Sequence, residues 1–300
     1  MKSSKKVFRG IFQNCMIVMK YDFTINEYIN NLNVKIPPEE EFKKIAEIFK
    51  IYPNESKQFA LRNFERGMLL YGLISKFKPK TILEIGRAQG YSTMCMAWSL
   101  YENNIDGRII SVDPISLDQL NKWLIDWDVK YETKEISTKE IWSKYAKPEW
   151  LEKIQPLTCF ADELLEKNDL PKMDFAFIDG HHIYDAVLAD FNIFLKFANK
   201  KFFCLFDDYI DDKETRMNEA IDQILEKFDG EIIKANSDKK DSEEVYMCMI
   251  NNNYEKIDFK FSKEQILKFR KIRKRFMLRK KINRIFPVLD KIKFSKIIKN

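Results

Sequence analysis

Between residues 81 and 250, short apolar segments alternate with stretches of helical spacing, and this alternation restricts the possible folds more than any other feature. The apolar segments are nearly continuous, which is typical of strands that are covered on both faces. Strands separated by helices form parallel sheets with a helical layer on each side. The sequence therefore predicts a doubly wound α/β fold. Its expected strands are residues 81–85, 108–112, 155–159, 173–178, 201–206, 231–234 and 245–250.

Three further regions surround or interrupt this pattern. Residues 1–54 form an N-terminal extension with a helix expected at 39–49, behind Pro37 and Pro38. A second helix, expected at 56–77, opens the main domain, which we place at residues 55–253. Within that domain, residues 116–153 lengthen one connection, and we expect them to be a helical insertion. Residues 254–300 form a C-terminal tail.

Composition excludes several classes of protein. The chain is 45% hydrophobic and 14% aromatic, which supplies a packed core and argues against a disordered chain. No apolar run approaches the roughly 20 residues that span a bilayer, and no secretory signal is recognisable. The five cysteines are scattered without metal-ligand spacing, so we expect reduced thiols and a cytoplasmic location.

The charge is distributed unevenly. Residues 260–300 hold 16 basic and 2 acidic residues, whereas the rest of the chain holds 36 and 44. Apolar side chains recur at helical spacing in residues 263–300, so we expect a basic amphipathic helix. Such a helix suits peripheral contact with an anionic membrane, here the inner membrane surface, or packing on the domain or a protein partner. Nucleic acid is the least favoured partner, because the body of the protein is acidic.

Polar residues and glycines follow the strands where a ligand is expected. In parallel α/β sheets, ligands bind beyond the carboxyl ends of the strands. Gly86 and Gly90 form a strand-to-helix turn behind Glu84, and the next helix presents free N–H groups near Ser92. Asp113 ends the second strand, where a carboxylate commonly binds ribose hydroxyls. Asp162 follows the third strand, where an acid could meet an adenine amino group. Together these positions indicate a nucleotide-type ligand.

At these positions the sequence resembles a known family. Residues 84–93 (EIGRAQGYST) resemble the first motif of class I S-adenosylmethionine-dependent methyltransferases. Residues 177–187 and 206–209 resemble motifs of a subgroup that includes macrocin- and cephalosporin-pathway O-methyltransferases. The resemblance covers residues 81–250 and implies a Rossmann-like sheet of seven strands, mostly parallel, with an antiparallel last strand. The family commonly has a Gly-Gly turn before the fifth strand, where this chain has Asn199, for which we expect a left-handed conformation.

The resemblance also implies residue roles for S-adenosylmethionine. Gly86 and Gly90 would lie beside its methionine and ribose parts. The other expected cofactor contacts are Glu84, Ser92, Asp113, Asp162 and Asp179.

The fourth strand leads into the only two histidines of the chain, His181 and His182. The motif aligns His182 with the family's recurring histidine, so His182, with Asp179, is our candidate catalytic pair for removing a hydroxyl proton. Asp179, Asp207 and Asp208 could instead converge on Mg²⁺, which would relieve their mutual repulsion. The alternative is that Asp179 contacts the cofactor and the other two cap a helix.

A hydroxyl of a sugar, glycan or other small molecule is the expected acceptor. The tryptophans of the insertion could wall its pocket or simply pack in the core: Trp123, Trp127, Trp142 and Trp150. Two other functions stay open. Tyr209 and Lys213 have the spacing of a catalytic pair in NAD(P)-dependent sugar-modifying oxidoreductases. A methyltransferase-like domain that binds without catalysis is the other.

Overall fold

The computed structural model describes residues 21–49, 64–127, 130–209, 215–235, 246–252 and 263–285. Its main feature is an eight-stranded sheet in the order β1-β9-β10-β8-β7-β2-β3-β6, accompanied by a two-stranded hairpin, β4-β5. The strands are β1 (Phe23–Thr24), β2 (Thr81–Ile85), β3 (Arg108–Asp113), β4 (Leu120–Trp127), β5 (Lys130–Ser137), β6 (Ile154–Thr158), β7 (Met173–Ile178), β8 (Ala198–Phe206), β9 (Gly230–Lys234) and β10 (Tyr246–Asn252).

The helices cover both faces of the sheet. They are α1 (Ile25–Leu32), α2 (Glu39–Ile48), α3 (Phe64–Phe77), α4 (Tyr91–Glu102), α5 (Thr138–Tyr145), α6 (Pro148–Leu151), α7 (Tyr184–Phe197), α8 (Met217–Leu225) and α9 (Lys263–Ile285). A 3₁₀ helix, Ala161–Glu166, follows β6. One apolar cluster lies between the sheet and α1 to α6, and a second lies between the sheet and α7 to α9.

The centre of the sheet is parallel, as the sequence predicts. β7, β2, β3 and β6 are consecutive neighbours with parallel pairing, and β8 continues the parallel set beyond β7. Their carboxyl ends therefore meet at one edge, so the segments that end near Glu84, Asp113, Asp162 and Asp179 are adjacent. β10 is antiparallel to both β8 and β9, in agreement with the expected antiparallel last strand.

The eighth strand comes from outside the expected set. Phe23 and Thr24 pair in parallel with Ile233 and Lys234 of β9, so the N-terminal extension completes the edge of the sheet. Thr24 then caps α1, because its hydroxyl accepts from the backbone of Glu27. Residues 21–49 of the extension are thus part of the folded unit.

Two local expectations are wrong. The insertion, residues 116–153, is only partly helical, because β4 and β5 form an antiparallel hairpin before α5 and α6. Aromatic and β-branched residues, which favour strands, are frequent in this segment, among them Trp123, Ile125 and Tyr131. Asn199 is not left-handed, since α7 runs directly into β8 through an extended Ala198. The Asn199 amide instead donates to Asp174 at 2.5 Å and fastens β8 to β7.

The basic helix of the tail packs on the domain. Phe269 of α9 is buried, and Ile272 packs against the second apolar cluster. None of the described helices is long and apolar enough to cross a bilayer. The tail beyond residue 285 and the helix start expected at residues 56–63 lie outside the described residues.

Candidate active site

The glycine loop after β2 is built around a close approach to the loop after β7. Gly86 has φ +88°, and its N–H donates to the carbonyl of Val112 at 2.9 Å. A Cβ at Gly86 would lie 1.9 Å from the backbone oxygen of Asp179. Only glycine permits this contact, which joins the turn that bears the first motif to the turn that bears the histidines.

The other end of the loop is held by the insertion. Gly90, with φ +103°, is the N-cap of α4, and a Cβ there would lie 2.5 Å from the Trp142 ring. The Trp142 indole donates to the backbone oxygen of Gln89 at 2.9 Å. Ser92 lies in the first turn of α4 and is buried. Trp142 reaches this position because Ser137 and Glu140 form a capping box that starts α5 directly behind the hairpin.

Glu84 is completely buried at the end of β2. One carboxylate oxygen accepts from Thr93 Oγ1 at 2.6 Å and from Ser111 Oγ at 2.5 Å, while Oε1 has no protein partner. Burial raises the pKa of Glu84 to about 7, against the two hydroxyl donors, which lower it. A buried oxygen without a partner is where a ligand N–H or O–H can bind.

Asp113 holds the glycine loop in place through hydrogen bonds from the loop's backbone N–H groups. Its Oδ2 accepts from the backbone N–H groups of Arg87 and Ala88, both at 3.1 Å, and its Oδ1 accepts from Ile115 N–H at 2.7 Å. The side chain is buried, so these three amides surround its carboxylate. The structure therefore gives Asp113 a loop-positioning role beside the ribose contact that the sequence suggests.

Asp162 lies on the 3₁₀ helix after β6 and is engaged by the tail. Arg273 of α9 contacts the carboxylates of Asp162 and Glu163, both at 3.2 Å. A cavity of about 380 Å³ opens beside this contact, beyond the ends of β3 and β6, where the adenine end of the ligand was expected. Its lining combines both strand ends with α9: Pro114, Thr158, Cys159, Phe160, Glu163, Arg273, Lys274 and Met277.

The part of the site near His182 contains a buried arginine that was not among the residues predicted from the sequence. Arg66 of α3 pairs with Asp207, and its other guanidinium nitrogen lies 3.6 Å from Asp179. Burial opposes the charge of Arg66, but the carboxylates of Asp207, Asp179 and Asp208 together raise its pKa. Its signal in the sequence was weak, because Arg66 follows Glu65 directly and stands at the start of the apolar run 67–74, where a charged residue is usually solvated.

His182 lies between two carboxylates. Its Nε2 is 3.2 Å from Asp179 Oδ1, and its Nδ1 is 3.1 Å from Asp208 Oδ2. The hydrogen bond to Asp179 and the charges of Asp208 and Asp179 raise the pKa of His182, whereas burial and Arg66 lower it. The imidazole is 45% exposed and therefore accessible to a substrate. The predicted pair of His182 and Asp179 is thus brought together.

The structure changes one residue of the predicted Mg²⁺ site, which was Asp179, Asp207 and Asp208. Asp207 is bound by Arg66 and is almost completely buried, so it is not available to a cation. Within the described ranges, the group with suitable geometry is Asp179, His182 and Asp208, which each offer one ligand atom within 4.8 Å of the others. The structure therefore replaces Asp207 by His182 in the candidate set.

The remaining alternatives can also be placed. Trp123, Trp142 and Trp150 are buried in the apolar core, which favours packing over an acceptor wall, and the side chain of Trp127 lies outside the described residues. Tyr209 is buried, and its hydroxyl donates to Asp222 at 2.8 Å. That bond disfavours a catalytic role for Tyr209 in an oxidoreductase, and Lys213 lies outside the described residues.

The chain is similar to a curated protein and to solved structures. An uncharacterized protein of Acanthamoeba polyphaga mimivirus is 30% identical over 132 residues, which is 44% of this chain and 52% of that protein. The chain thus spans about half the length of this curated relative. Among solved structures, a Bacillus cereus O-methyltransferase in complex with SAH is 14% identical, with 77% of this chain and 98% of that chain covered and a TM-score of 0.48.

Another solved structure is the O-methyltransferase TomG of Streptomyces achromogenes, involved in tomaymycin synthesis and in complex with SAM. It is 15% identical, with 76% of this chain and 96% of that chain covered and a TM-score of 0.45. A family model described as a methyltransferase domain matches residues 83–209, which run from β2 to Tyr209 and contain the glycine loop and the histidine turn. This segment, which is less than half of the chain, therefore matches the methyltransferase-domain family.

Proposed function

We propose that the protein transfers a methyl group from S-adenosylmethionine to a hydroxyl oxygen of a sugar, glycan or other small molecule. The observation that carries this proposal is the contact between Gly86 and the Asp179 turn, because it places the expected cofactor loop directly beside His182. The expected cofactor loop and the candidate acid–base residues therefore lie at the same edge of the sheet.

The residues present fit the cofactor. Glu84 Oε1 is a buried acceptor without a protein partner, and the Gly86 loop carries no side chain at its closest approach to Asp179. The cavity beyond β3 and β6 has room for a planar base beside Phe160. S-adenosylmethionine supplies an electrophilic methyl group on a sulfonium.

His182 would act as the base. In its neutral form it takes the hydroxyl proton of the acceptor as that oxygen attacks the methyl carbon. His182 would become an imidazolium, which Asp179 and Asp208 would stabilise, and S-adenosylhomocysteine would be the by-product. The chain's own contribution is orientation and proton removal, since in-line displacement depends mainly on alignment.

A divalent cation such as Mg²⁺ is a second part of the proposal. Of the candidate set, Asp179 and Asp208 would hold it as the oxygen ligands that Mg²⁺ prefers, and His182 beside them would remain the base. Bound there, the cation would polarise the acceptor hydroxyl. It would also neutralise the carboxylates that raise the pKa of His182, which favours the neutral base.

Calorimetry with S-adenosylhomocysteine and with NAD tests the cofactor. We expect saturable binding of the former and none of the latter, whereas the opposite result would overturn the proposal and restore the oxidoreductase. The acceptor class is tested by incubating the protein with labelled S-adenosylmethionine and glycan or phenol pools. His182→Gln should abolish labelling without weakening cofactor binding. Binding without turnover on any pool would leave the non-catalytic alternative.

A further inference from the structure

The outward face of α9 combines exposed leucines with exposed cations. Leu267 is 57% exposed and Leu278 is 59% exposed, although both are large and apolar. They are 11 positions apart, which is close to three full helical turns, so they share one face. Lys271 and Lys274 lie between them on that face, Arg275 lies at its edge, and all three are exposed as well. The result is an apolar ridge bordered by positive charge.

The opposite face of α9 fixes its orientation on the domain. Phe269 is buried, and Ile272 packs beside it on the second apolar cluster. Arg273 reaches Asp162 and Glu163, while Lys268 contacts Asp185 at 2.6 Å. Arg270 contacts Glu166 at 2.5 Å. Because these contacts occupy the inward face, the leucines cannot turn inward without breaking them.

We propose that this outward face docks on an anionic lipid bilayer. Leucines at the centre of a cationic helix face can enter the boundary between headgroups and acyl chains, while flanking lysines pair with acidic headgroups. A nucleic acid would use the cations but leave both leucines in water. The acidic body of the protein would be repelled by the same membrane, so contact would be confined to α9 and the residues around it.

The proposal is independent of methyl transfer. The docking face is nevertheless next to the candidate active site. Lys274 on that face and Met277 near it also line the cavity beyond β3 and β6. A bilayer bound at α9 would therefore lie beside that cavity.

Flotation of the full chain with vesicles tests the docking face. We expect it to float with phosphatidylcholine–phosphatidylserine vesicles, to remain behind with phosphatidylcholine alone, and to be released by salt. Lys271→Glu/Arg275→Glu should weaken binding at least about 30-fold, since each cation near the surface contributes about fivefold. Leu267→Ser/Leu278→Ser should weaken it at least about 10-fold through lost apolar burial.

A matched control changes the same charge elsewhere. Lys200 and Lys227 are exposed on other parts of the domain, so Lys200→Glu/Lys227→Glu should float like the native chain. Circular dichroism of all three variants verifies that α9 and the domain remain folded. Equal loss in the control would reduce the effect to net charge and overturn the docking face. Failure of the native chain to bind acidic vesicles, with or without binding to a DNA duplex, would overturn it as well.

Discussion

The guanidinium of Arg66 on α3 and the carboxylate of Asp207 after β8 form an ion pair in which both side chains are almost completely buried. Because a charge isolated in the interior is costly, neither residue is tolerated without the other. The pair ties the helix that precedes the sheet to the strand end beside the histidine turn. It also supplies the positive charge that we had expected from a metal at Asp207.

Arg66→Met should therefore lower the free energy of unfolding by about 3–5 kcal/mol, because it leaves the Asp207 carboxylate buried without its counterion. Guanidinium chloride unfolding measures the change. The matched control is Arg66→Met/Asp207→Asn, which removes both charges and should recover a large part of the loss. A single variant as stable as the double would contradict the pairing.

Glu84 should make stability depend on pH. Its pKa is raised from 4.5 in the unfolded chain to about 7 by burial, so the native state holds an extra proton between these values. This contribution is fully present below pH 4.5 and is lost as the pH rises through 7, a change of about 3 kcal/mol for one buried group. Buried Asp190 also has a pKa raised to about 7, so both the native chain and Glu84→Gln should lose stability across this range, and the native chain should lose more. Parallel curves would sink the assignment.

His182 should titrate above its ordinary pKa of 6.5, because Asp179 and Asp208 favour the imidazolium. With only two histidines in the chain, proton NMR of the native protein and of His181→Gln assigns the signal directly. In EDTA, Asp208→Asn should lower the pKa, since one carboxylate charge is lost. Methyl transfer should accordingly increase as the pH rises through the His182 pKa.

Mg²⁺ gives a separate outcome in the same NMR experiment. If it binds Asp179 and Asp208, adding it should lower the His182 pKa, since it neutralises both carboxylates. An unchanged titration in Mg²⁺, together with full activity in EDTA, would remove the metal from the proposal and leave His182 as the base.

Gly86→Ala should disrupt the contact between the two loops. Alanine is strained at φ +88°, and its Cβ would overlap the Asp179 carbonyl, so we expect a loss of at least about 2 kcal/mol in unfolding free energy. Gly72→Ala is the control, because Gly72 lies within α3 and its added Cβ meets only the ends of the Leu32 and Ile36 side chains. That change should stay within about 1 kcal/mol. Equal stability of both variants would show that the close approach is absent in solution.

Arg273→Ala should weaken the binding of S-adenosylhomocysteine about 10-fold, roughly 1.4 kcal/mol. Arg273 holds α9 against Asp162 and Glu163, and these contacts form one wall of the cavity beyond β3 and β6. Calorimetry of the native chain, Arg273→Ala and Arg270→Ala measures the effect. Arg270 also pairs α9 with the domain but does not line the cavity, so its variant should change affinity less. Unchanged affinity in Arg273→Ala would exclude α9 from the cofactor site.

The fold and the position of the site could be predicted from local pattern. The apolar runs matched β2 and β7 at both ends, because buried parallel strands need continuous hydrophobic residues. Placement of Glu84, Asp113, Asp162 and Asp179 at one edge followed from the parallel direction of neighbouring strands. The hairpin β4-β5 was not predicted, because the apolar residues of 120–137 do not alternate regularly, and a short segment of this kind is ambiguous in a single sequence.

By itself, the amino-acid sequence determined the α/β class, the polar residues that follow the central strands, and the proximity of His182 to Asp179. These features depend on periodicity and short spacing. Only the tertiary structure decided which charges meet. Arg66 and Asp207 are 141 positions apart, as Arg273 and Asp162 are 111, and no local pattern records such a contact. Burial selects these partners, because a charged group removed from water must find its counterion wherever the folded chain brings one.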